Sequence, residues 1–107
     1  MNDCIFCQIV AQQIPTPLVY EDDHCVVFND LYPKAPVHQL LIPKLHIASL
    51  ADLNESHREL MGHLTLLIPQ IALNAGLTQG FKTLVNTGKG GRQEVFHLHY
   101  HILGTPA

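Results

Sequence analysis

Three histidines occupy alternate positions near the end of the sequence, in the segment HLHYHIL at residues 97–103. Because alternate side chains of a β-strand point to the same face, we expect His97, His99 and His101 to share one face of a strand, about 6.6–6.8 Å apart. Neighbouring imidazoles pack poorly and add little to β-propensity, so the pattern favours a chemical function over a purely structural one. The apolar residues between them are expected to face the core.

Two kinds of chemistry use imidazoles arranged in this way. His-x-His on a strand can supply two nitrogen ligands to zinc or iron, with further ligands from elsewhere. A neutral imidazole can also attack an electrophile through one ring nitrogen while a neighbour binds the other nitrogen and fixes the tautomer. No carboxylate follows the third histidine, since residues 102–107 read ILGTPA. That absence disfavours a cupin-type metal site.

A glycine-rich segment before the histidines is suited to binding an anion. Residues 88–91 allow close backbone approach and outward-facing amides, Lys89 and Arg92 add positive charge, and Gln93 can donate hydrogen bonds. The alternative is a hairpin turn whose glycines serve tight geometry alone. No Ser or Thr follows the Gly-Lys pair, so the segment is not a Walker A loop.

Cys4 and Cys7 form a separate Cys-x-x-Cys motif. Two thiolates at this spacing could bind zinc, but a tetrahedral structural site needs two further ligands. From spacing alone, the packing of two thiols as small apolar groups is an equally good interpretation. Cys25 lies in an apolar run and is expected in the core, and three cysteines without an export signal indicate a reduced state.

The composition limits the possible partners. With 107 residues, 47% hydrophobic content and a net charge of −3, the chain predicts a single domain over residues 1–107 with a modest core. Six Lys and Arg against nine Asp and Glu leave no basic stripe for a nucleic acid. No apolar run approaches the ~20 residues that span a bilayer. We therefore expect a cytoplasmic protein that binds neither nucleic acid nor membrane.

An α+β fold is expected to position these residues. Apolar residues from Leu60 to Ala75 recur at helical spacing, Gly76 is a suitable stop, and Pro69 predicts a kink in one continuous helix. Either Asn54 or Ser56 could begin this helix. A short helix is predicted over residues 4–11, and strands over residues 18–20, 25–28, 38–42, 81–86 and 95–103. The result is an antiparallel sheet with one long helix packed on it.

The segment HLHYHIL matches the histidine triad signature, His-φ-His-φ-His-φ-φ with φ apolar. The chain also resembles the nucleotide-binding branch of the histidine triad superfamily at residues 20–23, 28–38, 42–47, 84–86 and 91–96. The resemblance implies a five-stranded antiparallel sheet with one long helix and a short N-terminal helix. It further implies a homodimer in which two such sheets join, with a purine nucleotide pocket on each protomer.

The resemblance also implies a reaction. His99 would attack the α-phosphorus of a purine nucleoside 5′-phosphoramidate and form a nucleotidyl-histidine intermediate, which water hydrolyses. His101 would bind the phosphate, while His97 and His38 would support the nucleophile. Three alternatives remain open: hydrolysis of dinucleoside polyphosphates, a zinc-stabilised nucleotide-binding or scaffold protein with little turnover, and a metal-dependent hydrolase with His97 and His99 as ligands.

Seven further residues match positions that contact the nucleotide in this family. Phosphate and ribose are assigned to Asn86, Gln93 and the backbone of Glu94 and Val95, the ribose hydroxyls to Asp30, and the base to Phe28 and Leu31. Arg92 departs from the family pattern, because many members have a small residue there.

Some bacterial relatives pair a similar Cys-x-x-Cys with two histidines to hold zinc. By resemblance, the ligands in this chain would be Cys4, Cys7, His46 and His97. Such a zinc would be structural, and catalysis would require no metal. His24, His57 and His63 receive no functional role.

Overall fold

The computed structural model describes residues 3–107, and a five-stranded antiparallel sheet is its frame. The strands are β1 (Tyr20–Glu21), β2 (Cys25–Asn29), β3 (Val37–Pro43), β4 (Lys82–Leu84) and β5 (Tyr100–Gly104). Their order across the sheet is β1-β2-β3-β5-β4. The helices are α1 (Ile5–Val10) and α2 (Arg58–Asn74), with 3-10 turns at Leu50–Asp52, Glu55–His57 and Lys89–Gly91. This architecture confirms the expected fold.

Alternating side chains give the sheet two apolar faces, and each face is covered by one helix. The first face packs against α2 through a buried cluster: Cys25, Val27, Leu41, Leu64, Ile68, Ile71, Ala72, Leu77 and Ile102. The second packs against α1 through Phe6, Ile9, Val26, Phe28, Leu40 and Ile42. A six-residue helix is marginal in isolation, so docking on the sheet is what stabilises α1.

The long helix is one continuous element, as predicted, with Pro69 inside it. Asn54 is the residue that begins the helical segment, since its side chain accepts a hydrogen bond from the Ser56 amide. The His57 ring completes a capping box by accepting from the Asn54 amide. Gly76 follows the helix with φ of +86°, a conformation that favours glycine, which confirms the predicted stop.

The hairpin between β1 and β2 is tied to α2 through one carboxylate. Asp22 accepts hydrogen bonds from the His24 and Cys25 amides and from the Tyr20 hydroxyl, and it lies 2.7 Å from His63 Nε2. Burial opposes ionisation of Asp22, but these hydrogen bonds hold its pKa well below the usual range. His63 therefore has a structural role, which the sequence did not indicate.

The predicted last strand is wrong in its boundaries. The sequence pattern predicts a strand over residues 95–103, whereas β5 begins at Tyr100, so of the three histidines only His101 lies in a strand. The reason is pairing: β5 finds partners in β3 and β4 from Tyr100 onwards, while the Leu98 amide donates to the Ile47 carbonyl at 2.7 Å. His97 and His99 are consequently placed by irregular backbone.

Within residues 3–107, no helix combines the length and apolar character needed to cross a bilayer.

Candidate active site and metal centre

A cavity of about 1240 Å³ opens on the α1 face of the sheet. Ten of the residues predicted to form the site line it: Phe28, Asp30, Leu31, His38, Asn86, Gln93, Glu94, Val95, His99 and His101. His97 is not among the lining residues; its ring lies in a second cluster beneath α1. The structure therefore divides the three histidines between two neighbouring sites.

His99 is held with one defined nitrogen available to the cavity. Its Nδ1 lies 2.7 Å from the His97 carbonyl oxygen, which can only accept, so Nδ1 carries the proton. In a neutral ring, Nε2 then has the free lone pair. Burial lowers the pKa of His99 and favours the neutral ring. The Phe6 ring packs edge-on against the imidazole at 5.1 Å between ring centroids and fixes its orientation.

His101 has the opposite tautomer, set by a chain of hydrogen bonds. The Lys34 amide donates to His38 Nδ1 at 3.0 Å, so the proton of neutral His38 lies on Nε2. That Nε2–H donates to His101 Nδ1 at 2.9 Å. The remaining proton of His101 therefore lies on Nε2, which makes this ring a hydrogen-bond donor beside His99, 4.8 Å away between centroids.

The pKa shifts agree with neutral rings in this chain. Burial, followed by the neighbouring His99 and His38, lowers the pKa of His101 to about 4. Burial also lowers the pKa of His38, although Asp30 Oδ2 lies 3.4 Å from its Nε2 and acts in the opposite direction. At pH 7 the site therefore pairs a nucleophilic nitrogen on His99 with a donor on His101.

The side-chain amides of Asn86 and Gln93 form hydrogen bonds that hold the glycine-rich segment after β4. Asn86 donates to the Gly91 carbonyl at 2.8 Å. Gln93 accepts from the Gly88 amide at 2.8 Å and donates to the Ala48 and Val95 carbonyls. Both N–H groups of Gln93 are thus engaged within the protein, and its side chain positions the loop.

The backbone donors that line the cavity differ from those expected of the glycines. The amides of Gly88 and Gly91 are already paired, to Gln93 and to the Gly88 carbonyl. Among the described residues, the amides of Glu94 and Val95 have no acceptor, and both residues line the cavity. The amides of Glu94 and Val95 are thus available to a ligand in the cavity, and the family resemblance assigns phosphate and ribose contacts to the same two residues.

The predicted nucleoside side of the cavity combines apolar walls with one carboxylate. Phe28 and Phe6 meet edge-on at 5.5 Å between centroids. Asp30 accepts from the Tyr32 amide at 2.9 Å through Oδ1, while Oδ2 faces His38. Leu31 is 87% exposed at the cavity mouth. Asp30 therefore closes a turn after β2 and also presents an oxygen to the site.

The second cluster brings together the four residues expected to bind zinc. Ligand atoms of Cys4, Cys7, His46 and His97 all lie within 4.8 Å of one another. His97 Nδ1 lies 3.3 Å from Cys4 Sγ, 3.5 Å from Cys7 Sγ and 3.2 Å from His46 Nδ1. Neighbouring ligand atoms of tetrahedral zinc are about 3.3–3.8 Å apart, given Zn–N and Zn–S bonds of about 2.0–2.3 Å. The donor set fits zinc in composition and spacing.

The tautomer of His97 also suits a metal ligand. Its Nε2 lies 2.7 Å from the Pro43 carbonyl, which can only accept, so Nε2 carries the proton and Nδ1 presents its lone pair to the cluster. Ligating histidines commonly donate their other N–H to a carbonyl in this way. His97 is also fully buried, which holds the ring in place.

Comparison with known proteins shows the family to which the chain belongs. The family model described as "Scavenger mRNA decapping enzyme C-term binding" matches residues 3–107. Protein HitA of Neisseria gonorrhoeae is 58% identical over 106 residues, covering 99% of each chain. The chain belongs to the histidine triad (HIT) family.

Solved structures extend the match to the whole fold. A HIT family hydrolase from Legionella pneumophila superposes with a TM-score of 0.93 at 39% identity, covering 98% of this HIT chain and 95% of that one. A histidine triad protein from Clostridium difficile gives 0.92 at 46% identity, covering 100% and 95%. The chain is thus a hydrolase-like HIT protein.

Sequence reasoning missed two contributors to the HIT site. Phe6 contacts both His97 and His99, at 5.9 and 5.1 Å between ring centroids. The sequence pattern predicts it only as an apolar residue of a short helix. The Lys34 amide fixes the tautomer of His38. The prolines around Lys34 indicate a rigid loop, but no sequence signal shows where its amides point.

Proposed function

We propose that this HIT protein hydrolyses purine nucleoside 5′-phosphoramidates through a nucleotidyl intermediate on His99. The observation that supports this most directly is the hydrogen bond from His99 Nδ1 to the His97 carbonyl, which leaves the Nε2 lone pair available in the cavity. A neutral imidazole of this kind is a nucleophile suited to phosphorus near pH 7.

In the first step, His99 Nε2 forms a bond to the α-phosphorus and the bond from phosphorus to the leaving amine breaks. His101 Nε2–H donates its proton to that amine, and the relay formed by the 2.9 Å hydrogen bond from His38 Nε2–H to His101 Nδ1 stabilises the ring that has lost this proton. Water then attacks phosphorus, the bond to His99 breaks, and the proton of the water restores the relay. The products are a nucleoside monophosphate and an amine.

The nucleotide is placed by the surrounding walls. The purine would lie against Phe28 and Leu31, and the ribose hydroxyls would donate to Asp30. The phosphate oxygens would accept from the Glu94 and Val95 amides, which are not otherwise paired within the described chain. Backbone amides of this kind bind an anion without a local excess of lysine or arginine.

A structural zinc ion is part of the proposal. Cys4, Cys7, His46 and His97 would hold it, and the ion would fix α1 against the chain that leads into His99. Because the four zinc ligands come together only in the folded chain, the binding energy of zinc stabilises the fold. The cysteines of the described residues form no disulfide, which suits a reducing compartment and supports a cytoplasmic location.

The homodimer remains a proposal as well. Strand β4 lies at an edge of the sheet, and helix α2, which packs on one face of the sheet, leaves Leu66 81% and Leu73 55% exposed. A second copy joined at this edge would cover such apolar residues. Sedimentation analysis should give twice the mass of the chain, and a monomer at micromolar concentration would contradict it.

The decisive experiment traps the intermediate. The protein is mixed with an adenosine 5′-phosphoramidate, quenched within milliseconds and digested, and the nucleotidylated peptide is mapped by mass spectrometry. The adduct is expected on His99, and His24→Ala serves as a control because His24 is exposed and does not line the cavity. An adduct elsewhere, or turnover without any adduct, would overturn the mechanism. Faster cleavage of dinucleoside polyphosphates in a substrate panel would favour that alternative.

A further inference from the structure

The two ends of the cavity are built by strands on opposite sides of the histidines. Asp30 follows β2, His38 lies in β3, His101 lies in β5, and Asn86 follows β4. In the order β2-β3-β5-β4, the first and last of these are separated by three strand spacings, or about 14 Å. A nucleoside at the Asp30 end with its phosphate at the histidines therefore leaves the β4 end for the rest of the substrate.

Arg92 is held at this β4 end. Leu84 pairs with His101 across the sheet, so the chain leaves β4 beside the histidines. Asn86 then binds the Gly91 carbonyl at 2.8 Å, which fixes the residue next to Arg92. Arg92 itself lines the cavity.

The backbone of Arg92 has a conformation that is unusual for its residue type. Its φ of +62° and ψ of +36° lie in the left-handed region, which costs a residue with a Cβ about 1 kcal/mol or more. Its amide closes the 3-10 turn on the Lys89 carbonyl at 3.1 Å. The hydrogen bonds of Asn86 and Gln93 hold this geometry, so the side chain leaves the backbone from a fixed point at the cavity rim.

The guanidinium of Arg92 is available to a ligand. Arg92 is exposed, and within residues 3–107 it takes part in no ion pair, even with Glu94 two residues further on. Lys89, the other cation of the same turn, does not line the cavity. The turn thus presents one cation to the cavity and one to solvent.

We propose that Arg92 forms an anion subsite for the leaving group, so that this protein prefers phosphoramidates whose amine carries a carboxylate or phosphate. The proposal rests on the proposed function for the position of the scissile bond. Arginine suits the role because its planar fork binds either anion with two parallel hydrogen bonds.

The test compares matched substrate pairs that differ in one anionic group. Adenosine 5′-phosphoramidates of glycine and glycinamide form the carboxylate pair, and those of phosphoethanolamine and ethanolamine form the phosphate pair. At low ionic strength we expect kcat/KM of the wild type to be about tenfold higher for the anionic member, near the lower end of the range for one hydrogen bond to a charged group. The pair with the larger ratio identifies the preferred anion.

Three variants separate charge from backbone conformation. Arg92→Asn removes the charge but tolerates the left-handed region, so both ratios should fall to about one. Arg92→Lys keeps a charge and should retain the preferred ratio within about threefold. Lys89→Gln is the matched control and should leave both ratios unchanged. Equal rates for both members in the wild type, or undiminished ratios in Arg92→Asn, would overturn the proposal.

Binding measurements keep this test independent of the proposed reaction. In a His99→Ala background, titration calorimetry with the same intact compounds should show the same charge preference, and Arg92→Asn should abolish it. If the wild type hydrolyses no phosphoramidate, the proposed function fails while the calorimetric ratio still decides the role of Arg92. If turnover is normal and the ratio is absent, only the subsite is wrong.

Discussion

His97 and His99 are two residues apart, yet the structure gives them opposite tautomers and different surroundings. His97 donates from Nε2 to the Pro43 carbonyl and presents Nδ1 to two thiols and a second imidazole. His99 donates from Nδ1 to the His97 carbonyl and keeps Nε2 free beside His101. In each ring, one nitrogen donates its proton to a backbone carbonyl. The other nitrogen therefore keeps its lone pair for metal binding or nucleophilic attack.

The two clusters also share a physical connection. The carbonyl that orients His99 belongs to His97, and the Phe6 ring packs on both imidazoles from a helix that has Cys4 as its N-cap and Cys7 in its first turn. His97 therefore belongs to the Cys4 and Cys7 cluster through its side chain and orients His99 through its backbone carbonyl. Substitutions can separate these two contributions, because they alter side chains and leave the carbonyl in place.

The largest effect is expected from removal of the nucleophile. His99→Ala should lower kcat/KM for an adenosine 5′-phosphoramidate by about 10³–10⁴-fold or more, since no other imidazole nitrogen is free at that position. Thermal unfolding should show a folded variant. A residual rate within tenfold of the wild type would place the nucleophile elsewhere and remove the functional distinction between the two clusters.

Loss of the metal should act on stability before it acts on chemistry. Cys7→Ser, or chelation of the wild type, is expected to reduce the free energy of unfolding by several kcal/mol, because the ligands at α1 and His97 would lose their common ion. Elemental analysis should give one zinc per chain in the wild type. Cys25→Ala is the control, since this buried thiol lies outside the cluster and its loss should leave the metal content unchanged.

Catalysis that stops on chelation while the protein remains fully folded would contradict the structural role of the metal. Such a result would favour the alternative in which His97 and His99 are ligands of a catalytic ion.

The hydrogen-bond relay should have a smaller effect than the nucleophile. His38→Asn removes the donor to His101 Nδ1 and should lower kcat about 10- to 100-fold, the usual range for a group that orients a reacting residue. His38→Gln offers a longer amide and should restore part of the rate. Because His38 does not touch phosphorus in the proposed mechanism, KM should change less than kcat; an unchanged kcat would show that the tautomer of His101 is set by other means.

The sequence predicted the fold, because apolar periodicity and the triad signature are local patterns. The family resemblance supplied the members of the two clusters, and the structure brings them together. The sequence did not predict that β5 would begin only at Tyr100, since strand ends depend on partners that lie far away in sequence, such as Ile47 for Leu98. For the same reason, it assigned anion binding to the glycine amides, although those of Gly88 and Gly91 are already paired, to Gln93 and to the Gly88 carbonyl. The sequence also does not show which tautomer a histidine adopts, because the tautomer depends on single carbonyls such as that of Pro43.

The smallest expected effect is on the pH dependence of stability, because the pKa of His101 differs between the folded and the unfolded chain. His101 has a pKa of about 4 in the fold, against about 6.5 when unfolded, so the unfolded state binds more protons between these values. The contribution of His101 to the free energy of unfolding should therefore be fully present above pH 6.5. This contribution should fall by about 2 kcal/mol toward pH 4, allowing for partial solvent screening. His101→Asn should remove this part of the pH dependence in urea denaturation series, while His24→Ala, an exposed histidine, should retain it. An unchanged slope in His101→Asn would mean that folding does not shift the pKa of His101, so burial and the hydrogen bond from His38 would not hold this ring neutral in the fold.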